Sequence, residues 1–153
     1  MALSILEILN AVKDELEDKL VTNGDCSYIN FYNGEFDEME LDELRQYNFP
    51  AIYITFYDDK PDSAASGTRD ILMRFGIMAV ISNFDGINEN LYGQEGALKL
   101  AEEINALVDG KEFGLKQKGA DVIRSAGIYI IGVIKELAAV GIDFEIQRYS
   151  ELD

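Results

Sequence analysis

A run of five carboxylates lies in the segment FDEMELDELR, at residues 36–45. Carboxylate oxygens are the ligands that hard cations such as calcium prefer, so this run is the first candidate for chemistry. Its spacing lacks the Asp-x-Asp-x-Asp-Gly order of an EF-hand loop. We interpret the run as a solvated acidic turn or helix face, with contact to a basic partner as the alternative. Its acids are Asp37, Glu38, Glu40, Asp42 and Glu43.

Nucleophilic chemistry is narrowly limited in this chain. The sequence contains no histidine, which excludes Ser-His and Cys-His catalysis and histidine-ligated metals. Cys26 is the only cysteine, so an intramolecular disulfide and a cysteine-rich zinc site are also excluded, and a reducing cytoplasm fits best. The adjacent carboxylate of Asp25 raises a thiol pKa and does not activate it. We therefore predict a structural thiol.

The Gly-Gln-Glu-Gly stretch at 93–96 precedes a helical pattern, where a phosphate cradle could lie. It has neither the Gly-Lys-Ser/Thr ending of a P-loop nor the Gly-x-Gly-x-x-Gly of a dinucleotide site, and Glu95 would repel a phosphate. We predict that these glycines start and pack a helix. Since no pair of acids suits an enzyme that uses carboxylates alone, we predict no catalytic residue, cofactor or metal, and no enzyme activity.

The composition indicates a folded protein with a strong acidic imbalance. The 153 residues include 29 acids and 13 bases, a net charge of -16, and 48% of them are apolar. A field of this sign repels phosphates and anionic lipids, so nucleic acids and membranes are not expected partners, whereas basic protein surfaces are. No apolar run approaches the ~20 residues that span a bilayer, and no basic segment precedes Glu7, so we expect neither a transmembrane segment nor a signal peptide.

Two helices are predicted from apolar spacing and end signals. Ser4 and Glu7 have the spacing of a capping box, and Asn23-Gly24 supplies a stop for the first helix. A second helical pattern covers 94–108 and ends at Gly110. The predicted buried stripes are Ile5, Leu9, Val12, Leu16 and Leu20 in the first helix, and Ala97, Leu98, Ala101, Ile104, Leu107 and Val108 in the second.

Strands are predicted from alternating apolar residues after Pro50, in RDILMRFGIMAVIS, and in two stretches that meet near 135–139. A short helix at Val133–Ala138 is the alternative for the last junction. We also expect a short hairpin turn at Asn33-Gly34. The stretch DDKPDSAASGTR, at 58–69, is expected to be a turn-rich connection of about 11 residues that is either mobile or functional. The element order indicates an α+β fold: an antiparallel sheet, or a mixed one, with two main helices on one face, in one domain over 1–153.

The closing strand VGIDFEIQRY has one apolar face and one charged face. We expect Ile142, Phe144 and Ile146 to face the helices, Asp143, Glu145 and Gln147 to lie opposite, and Arg148 to follow the apolar side with its head reaching water. The bases in the 69–74 strand and the 111–118 loop balance surface charge, or meet the acids of a neighbouring copy. The candidate interface residues are Asp58, Asp59, Lys60, Arg69, Arg74, Lys116, Lys118, Asp143 and Glu145.

Across residues 3–150 the chain resembles phage tail terminator proteins, and most of all their Mu-like contractile-tail group. The resemblance rests on a capped first helix, a strand opening on Phe49-Pro50-Ala51, a strand of the RFGIMAVIS kind, the helix in YGQEGALKLAEEINALVDG and the closing strand GIDFEIQRY. It is an order of elements and not a chemical motif. The acid-rich 35–43 segment and the extreme net charge depart from many members.

The resemblance implies a structural protein that forms a hexameric ring on the head-proximal end of a tail tube. Such a ring stops polymerisation of tube and sheath and presents a surface to the neck; headless contractile bacteriocins use a similar cap. It implies assembly in the bacterial cytoplasm and residence in a virion or bacteriocin tail. Its partners would be its own copies, the tube and sheath proteins and a neck protein.

A second hypothesis takes the charge itself as the function, because an acidic protein can occupy the basic groove of a nucleic-acid enzyme. A DNA mimic needs acids in paired rows across an exposed face, whereas many acids here alternate with bases or cap helices. A small enzyme that uses carboxylates alone ranks third.

Overall fold

The computed structural model describes residues 4–32, 49–62, 69–82, 87–116, 119–134 and 137–150. Within these ranges the strands are β1 (Tyr28–Phe31), β2 (Ala51–Asp62), β3 (Arg69–Ser82), β4 (Arg124–Ile134) and β5 (Leu137–Ser150). They form one mixed sheet with the strand order β1-β2-β3-β5-β4. The pair β1–β2 is parallel, and the pairs β2–β3, β3–β5 and β5–β4 are antiparallel. The predicted α+β class is confirmed.

The first helix begins at the residue whose chemistry predicts it, whereas the second predicted helix begins at Ala97, three residues later than expected. Helix α1 (Ile5–Leu16) starts at Ser4, whose side chain accepts a hydrogen bond from the Glu7 amide, and continues as a π-helical turn (Glu17–Val21). Gly24 then takes a positive φ of 82°, which a glycine adopts without strain. A short helix α2 (Ile87–Tyr92), which we did not predict, precedes α3 (Ala97–Val108), whose N-cap is Gly96.

Both main helices pack on the same face of the sheet and share one core with it. Phe75 of β3 stacks on Phe144 of β5 with ring centroids 5.4 Å apart. Burying each large apolar side chain stabilises the fold by about 1.5–3 kcal/mol, more than an exposed ion pair contributes. The core members include Ile8, Leu9, Val12 and Leu16 of α1, Leu100, Ala101, Ile104 and Val108 of α3, and Ile52, Ile54, Met73, Ile77, Ile142 and Ile146 of the sheet.

The predicted connection after Tyr57 is shorter than expected. Strand β2 continues to Asp62 and pairs with Asp70 of β3, after a register shift between Phe56 and Asp58. The strand tolerates Pro61 here because the pairing of β1 with β2 ends at Ile54, so β2 has no described strand on its outer side. The prediction that 58–62 belong to this connection is wrong, and 63–68 lie outside the described residues.

The final two strands form an antiparallel pair, and the alternative helix at Val133–Ala138 is wrong. Ile134 pairs with Leu137, so the chain reverses between them. Phe144 is 1% exposed within the core and Asp143 lies on the opposite face, as the alternation predicts. One part of the expectation for Arg148 is confirmed, since it follows the apolar side. The other part is wrong, because its side chain does not extend to the surface but is buried against Asp59.

Candidate functional site

The face of the sheet opposite the helices has an apolar end and a polar end. Ala51, Tyr53, Val80, Leu137 and Ala139 form a small buried cluster at the apolar end. The other end, here called the polar face, consists of Tyr57, Asp58, Arg74, Tyr129, Asp143 and Glu145.

Two tyrosines from different strands meet at the centre of the polar face. Tyr57 of β2 lies over Gly76 and Tyr129 of β4 lies over Gly141, and the two phenol oxygens are 3.1 Å apart. A Cβ atom on either glycine would come within 3 Å of the overlying ring. These glycines therefore make room for an aromatic bridge that crosses the two central strands of the sheet.

The direction of the hydrogen bonds in this bridge follows from its ends. The Tyr129 hydroxyl donates to the Asp143 carboxylate at 3.0 Å, so the hydrogen between the two phenols comes from Tyr57. Burial raises the pKa of Tyr57, and the hydrogen bond to Tyr129 and the nearby carboxylate of Asp143 raise it further. Burial also raises the pKa of Tyr129. Both phenols stay protonated at neutral pH and act as hydrogen-bond donors.

A row of alternating charges crosses four strands beside the tyrosines. Asp58 lies next to Arg74, which lies opposite Glu145, which in turn lies opposite Arg124. The Arg74 guanidinium donates to both Asp58 carboxylate oxygens, from Nε at 2.8 Å and from a terminal nitrogen. These hydrogen bonds hold the Asp58 pKa below its usual range. The row is complementary within itself, so it fixes strand register more than it adds net charge to the face.

Asp59 and Arg148 form an ion pair on the helix side of the sheet, away from the polar face. Asp59 pairs in register with the core residue Met73, and Arg148 lies beside Ile71. Their side chains are 21% and 7% exposed, so the pair is largely removed from water. This pair ties the end of β5 to the end of β2 across β3, which indicates a structural role for Asp59.

Strand β4 forms one outer edge of the sheet and exposes an unusual amount of apolar surface. Ile128, Tyr129, Ile130 and Ile131 are 39%, 41%, 48% and 49% exposed, on both faces of the strand. Among the described strands none pairs with the outer side of β4. Proteins protect such edges with charges, prolines or a covering element, and an apolar unprotected edge is typical of a surface that binds another chain.

The structure brings together five of the nine predicted interface residues. Asp58, Arg74, Asp143 and Glu145 lie on the polar face, and the Lys60 amine is 3.8 Å from Asp58. Lys116 is in a separate loop, 3.7 Å from Glu112. Arg69 pairs with Ser150 at the start of β3, and its side chain lies outside the described part, as does Lys118.

The β4 edge and the two tyrosines were missed from the sequence. The run IYII in β4 could have indicated an exposed apolar surface, since four consecutive large apolar residues on an edge strand cannot all be buried. That β4 would be an edge strand could not be read from the sequence. The acidic run at 37–43 and the Asn33-Gly34 turn lie outside the described residues.

The remaining chemical candidates give no reactive site in the described part of the chain. Cys26 is buried, its thiol lies 3.2 Å from the Tyr28 carbonyl and 3.3 Å from the Pro50 carbonyl, and burial raises its pKa. A cleft of about 370 Å³ beside Gly96 has three acids, Asp25, Glu95 and Glu103, and one base, Lys99, in its lining, a negative balance that does not suit a phosphate. No three ligating side chains among the described residues are placed to hold a metal ion.

None of the helices in the described ranges is long and apolar enough to cross a membrane. No protein-family model matches the chain, and no curated protein matches it either.

Proposed function

We propose that this protein is a non-enzymatic assembly protein: a tail terminator that caps the head-proximal end of a tail tube as a hexameric ring. The ring stops polymerisation of tube and sheath and offers a surface to the neck. It assembles in the bacterial cytoplasm and remains in the virion or in a bacteriocin tail. The resemblance to tail terminators supplies the particular role, and the β4 edge supplies the structural support for assembly.

The observation that carries the proposal is the exposed apolar edge of β4. A chain with a net charge of -16 is repelled by most other acidic proteins. The described β4 strand nevertheless has no acidic residue among its eleven positions, Arg124–Ile134. Exposed isoleucines on an unpaired strand cost solubility unless a partner covers them. A protein that functions by assembly has a use for such an edge, whereas a freely diffusing enzyme does not.

The polar face supports a second, weaker contact of the same assembly. Its tyrosines are rigid aromatic groups with polar ends, which are enriched in protein interfaces. Its charges alternate across the strands, so it suits a partner with its own mixed charges, such as the tube or sheath. The same alternation argues against a DNA mimic, which needs rows of acids only.

Capping is tested with tail tubes of the system that encodes this chain, visualised by negative-stain electron microscopy. We expect a ring at one end of each tube and an arrest of tube growth. The variant Ile130→Lys should fold and fail to form the ring, because it places a charge on the β4 edge. Leu6→Lys is the matched control for a charge added at an exposed apolar residue, since Leu6 is 63% exposed and lies on α1 and not on β4. Bare tube ends with folded protein would contradict the proposal, and salt-resistant binding to a restriction enzyme or polymerase would favour the DNA mimic.

A further inference from the structure

We infer that β4 of one copy pairs antiparallel with β1 of the next copy, so that the sheet continues from subunit to subunit. This inference rests on the proposed ring, and it names the contact that builds it. The partner is a second copy of this chain, joined head to tail through two different edges. Such heterologous contacts close into a ring when the rotation between copies permits.

The polarity of the strands fits this pairing. The sheet starts with β1, parallel to β2, and ends with β4, which runs opposite to β5. Following the pairs across the sheet, β1, β2 and β5 point one way and β3 and β4 the other. If the next copy is placed with its helices on the same side, its β1 therefore runs antiparallel to β4. Antiparallel pairing is the more stable arrangement for two strands.

The two edges also lie at the same level along the strand direction. Asn30 of β1 is linked through Tyr53, Met78 and Gly141 to Tyr129 of β4 by successive register pairs. Tyr129 lies at the centre of the exposed apolar stretch. A neighbouring β1 would therefore pair with the part of β4 whose apolar side chains are exposed. In this register, residues that lie opposite each other on β4 and β1 point to the same face of the sheet.

Charge favours a second copy at these edges in spite of the chain's net charge of -16. The described edge strands β1 and β4 contain no acidic residue, although the chain has 29 acids. Two copies therefore approach each other there without placing carboxylates opposite carboxylates, which would be destabilising in a strand pair.

Strand β2 gives the contact additional apolar area. Beyond Ile54 it extends past the end of β1, and there Phe56 and Tyr57 are 41% and 44% exposed. The first residues of β4 also extend beyond the end of β1. Successive register pairs place Ser125 of β4 at the same height in the sheet as Phe56 of β2, by way of Phe144 and Phe75. The start of β4 in one copy would lie alongside Phe56 of the next and cover it.

Cysteine cross-linking tests the contact without any tail tube. Asn30→Cys places a thiol on the β1 edge, and Ile131→Cys places one on the same sheet face of β4, where the Ile131 side chain lies close to Gly141. A short bis-maleimide is added to concentrated protein, and products are separated by denaturing electrophoresis. The wild type, whose Cys26 is buried, is the control for background reaction.

Head-to-tail pairing predicts three results together. The double variant gives a ladder of covalent oligomers, a mixture of the two single variants gives dimers, and each single variant alone stays monomeric. Covalent dimers from Ile131→Cys alone would overturn the inference in favour of a two-fold β4–β4 contact. No intermolecular product from the double variant or the mixture, with unchanged thermal unfolding, would also overturn it.

The two proposals fail separately in these experiments. Cross-linked ladders from protein that leaves tube ends bare would keep the β4–β1 contact and contradict the capping function. Rings on tube ends from protein that gives no cross-link would keep the capping function and overturn the contact.

Discussion

The aromatic bridge over Gly76 makes a sharp prediction about a single methyl group. In Gly76→Ala the new Cβ atom would lie 1.9 Å from the Tyr57 hydroxyl oxygen and 2.4 Å from the ring carbon that bears it. Both distances are far below van der Waals contact. Because these atoms are the far end of a side chain, we expect the Tyr57 ring to swing away from the sheet while the strands stay paired.

The cost follows from what the ring loses. Displacement breaks the hydrogen bond to Tyr129, a loss of about 0.5–1.5 kcal/mol, and repacking a filled site costs roughly 1–3 kcal/mol. Replacing a strand glycine with alanine otherwise gains about 0.5–1 kcal/mol, and Gly76 does not have a positive φ that would make alanine strained. We expect Gly76→Ala to lower the free energy of unfolding by about 1–3 kcal/mol.

Urea unfolding of a double-mutant cycle measures this effect. In a Tyr57→Ala background the clash is absent, so Gly76→Ala should there be neutral or slightly stabilising. Gly132→Ala is the matched control, because a Cβ atom on Gly132 meets nothing within 4 Å. If Gly76→Ala is no more destabilising than Gly132→Ala, or is equally destabilising with and without Tyr57, the placement of the ring is wrong.

Three further variants test other parts of the structure. Arg148→Ala leaves the largely buried carboxylate of Asp59, which is 21% exposed, without its cation. The free energy of unfolding, measured by urea unfolding, should fall by about 2–4 kcal/mol. An unchanged free energy of unfolding would show that the pair is not formed. Phe144→Asp buries a charge beside Phe75 and should abolish soluble folded protein, whereas a normal thermal unfolding transition would show the face assignment wrong. Asp143→Lys with Glu145→Lys should leave a folded chain, with the loss of one hydrogen bond from Tyr129, but impair capping in electron micrographs; normal capping would assign the polar face to solvent alone.

Local patterns predicted the elements well because their causes are local. The capping box at Ser4, the stop at Gly24 and the alternation through Phe144 each depend on a few neighbouring residues, and the structure confirms them. The short strand β1 was missed because four residues give too little alternation to be recognised. The end of β2 was misassigned because Asp58 and Pro61 disfavour strands, and their stability there comes from pairing with β3, which the local sequence does not show.

The candidate site depends on strand order, which the sequence does not state. Tyr57 and Tyr129 are 72 positions apart and meet only because their strands flank β3 and β5. The burial of Arg148 depends in the same way on the position of Asp59. The alternation of residues in β5 predicts that Arg148 lies on the apolar face, but it does not predict a carboxylate next to it there. The apolar run in β4 became a candidate assembly surface only when β4 was found at the edge of the sheet.

The assembly claim is tested most directly by hydrogen–deuterium exchange of the protein free and on capped tubes. Amides on the outer edge of β4, Arg124–Ile134, have no strand partner among the described residues and should exchange quickly in the free chain. We predict strong protection of β4 and of β1 on assembly, with little change in the buried helix α3. Unchanged exchange in β4 on tubes that carry the cap would contradict the account.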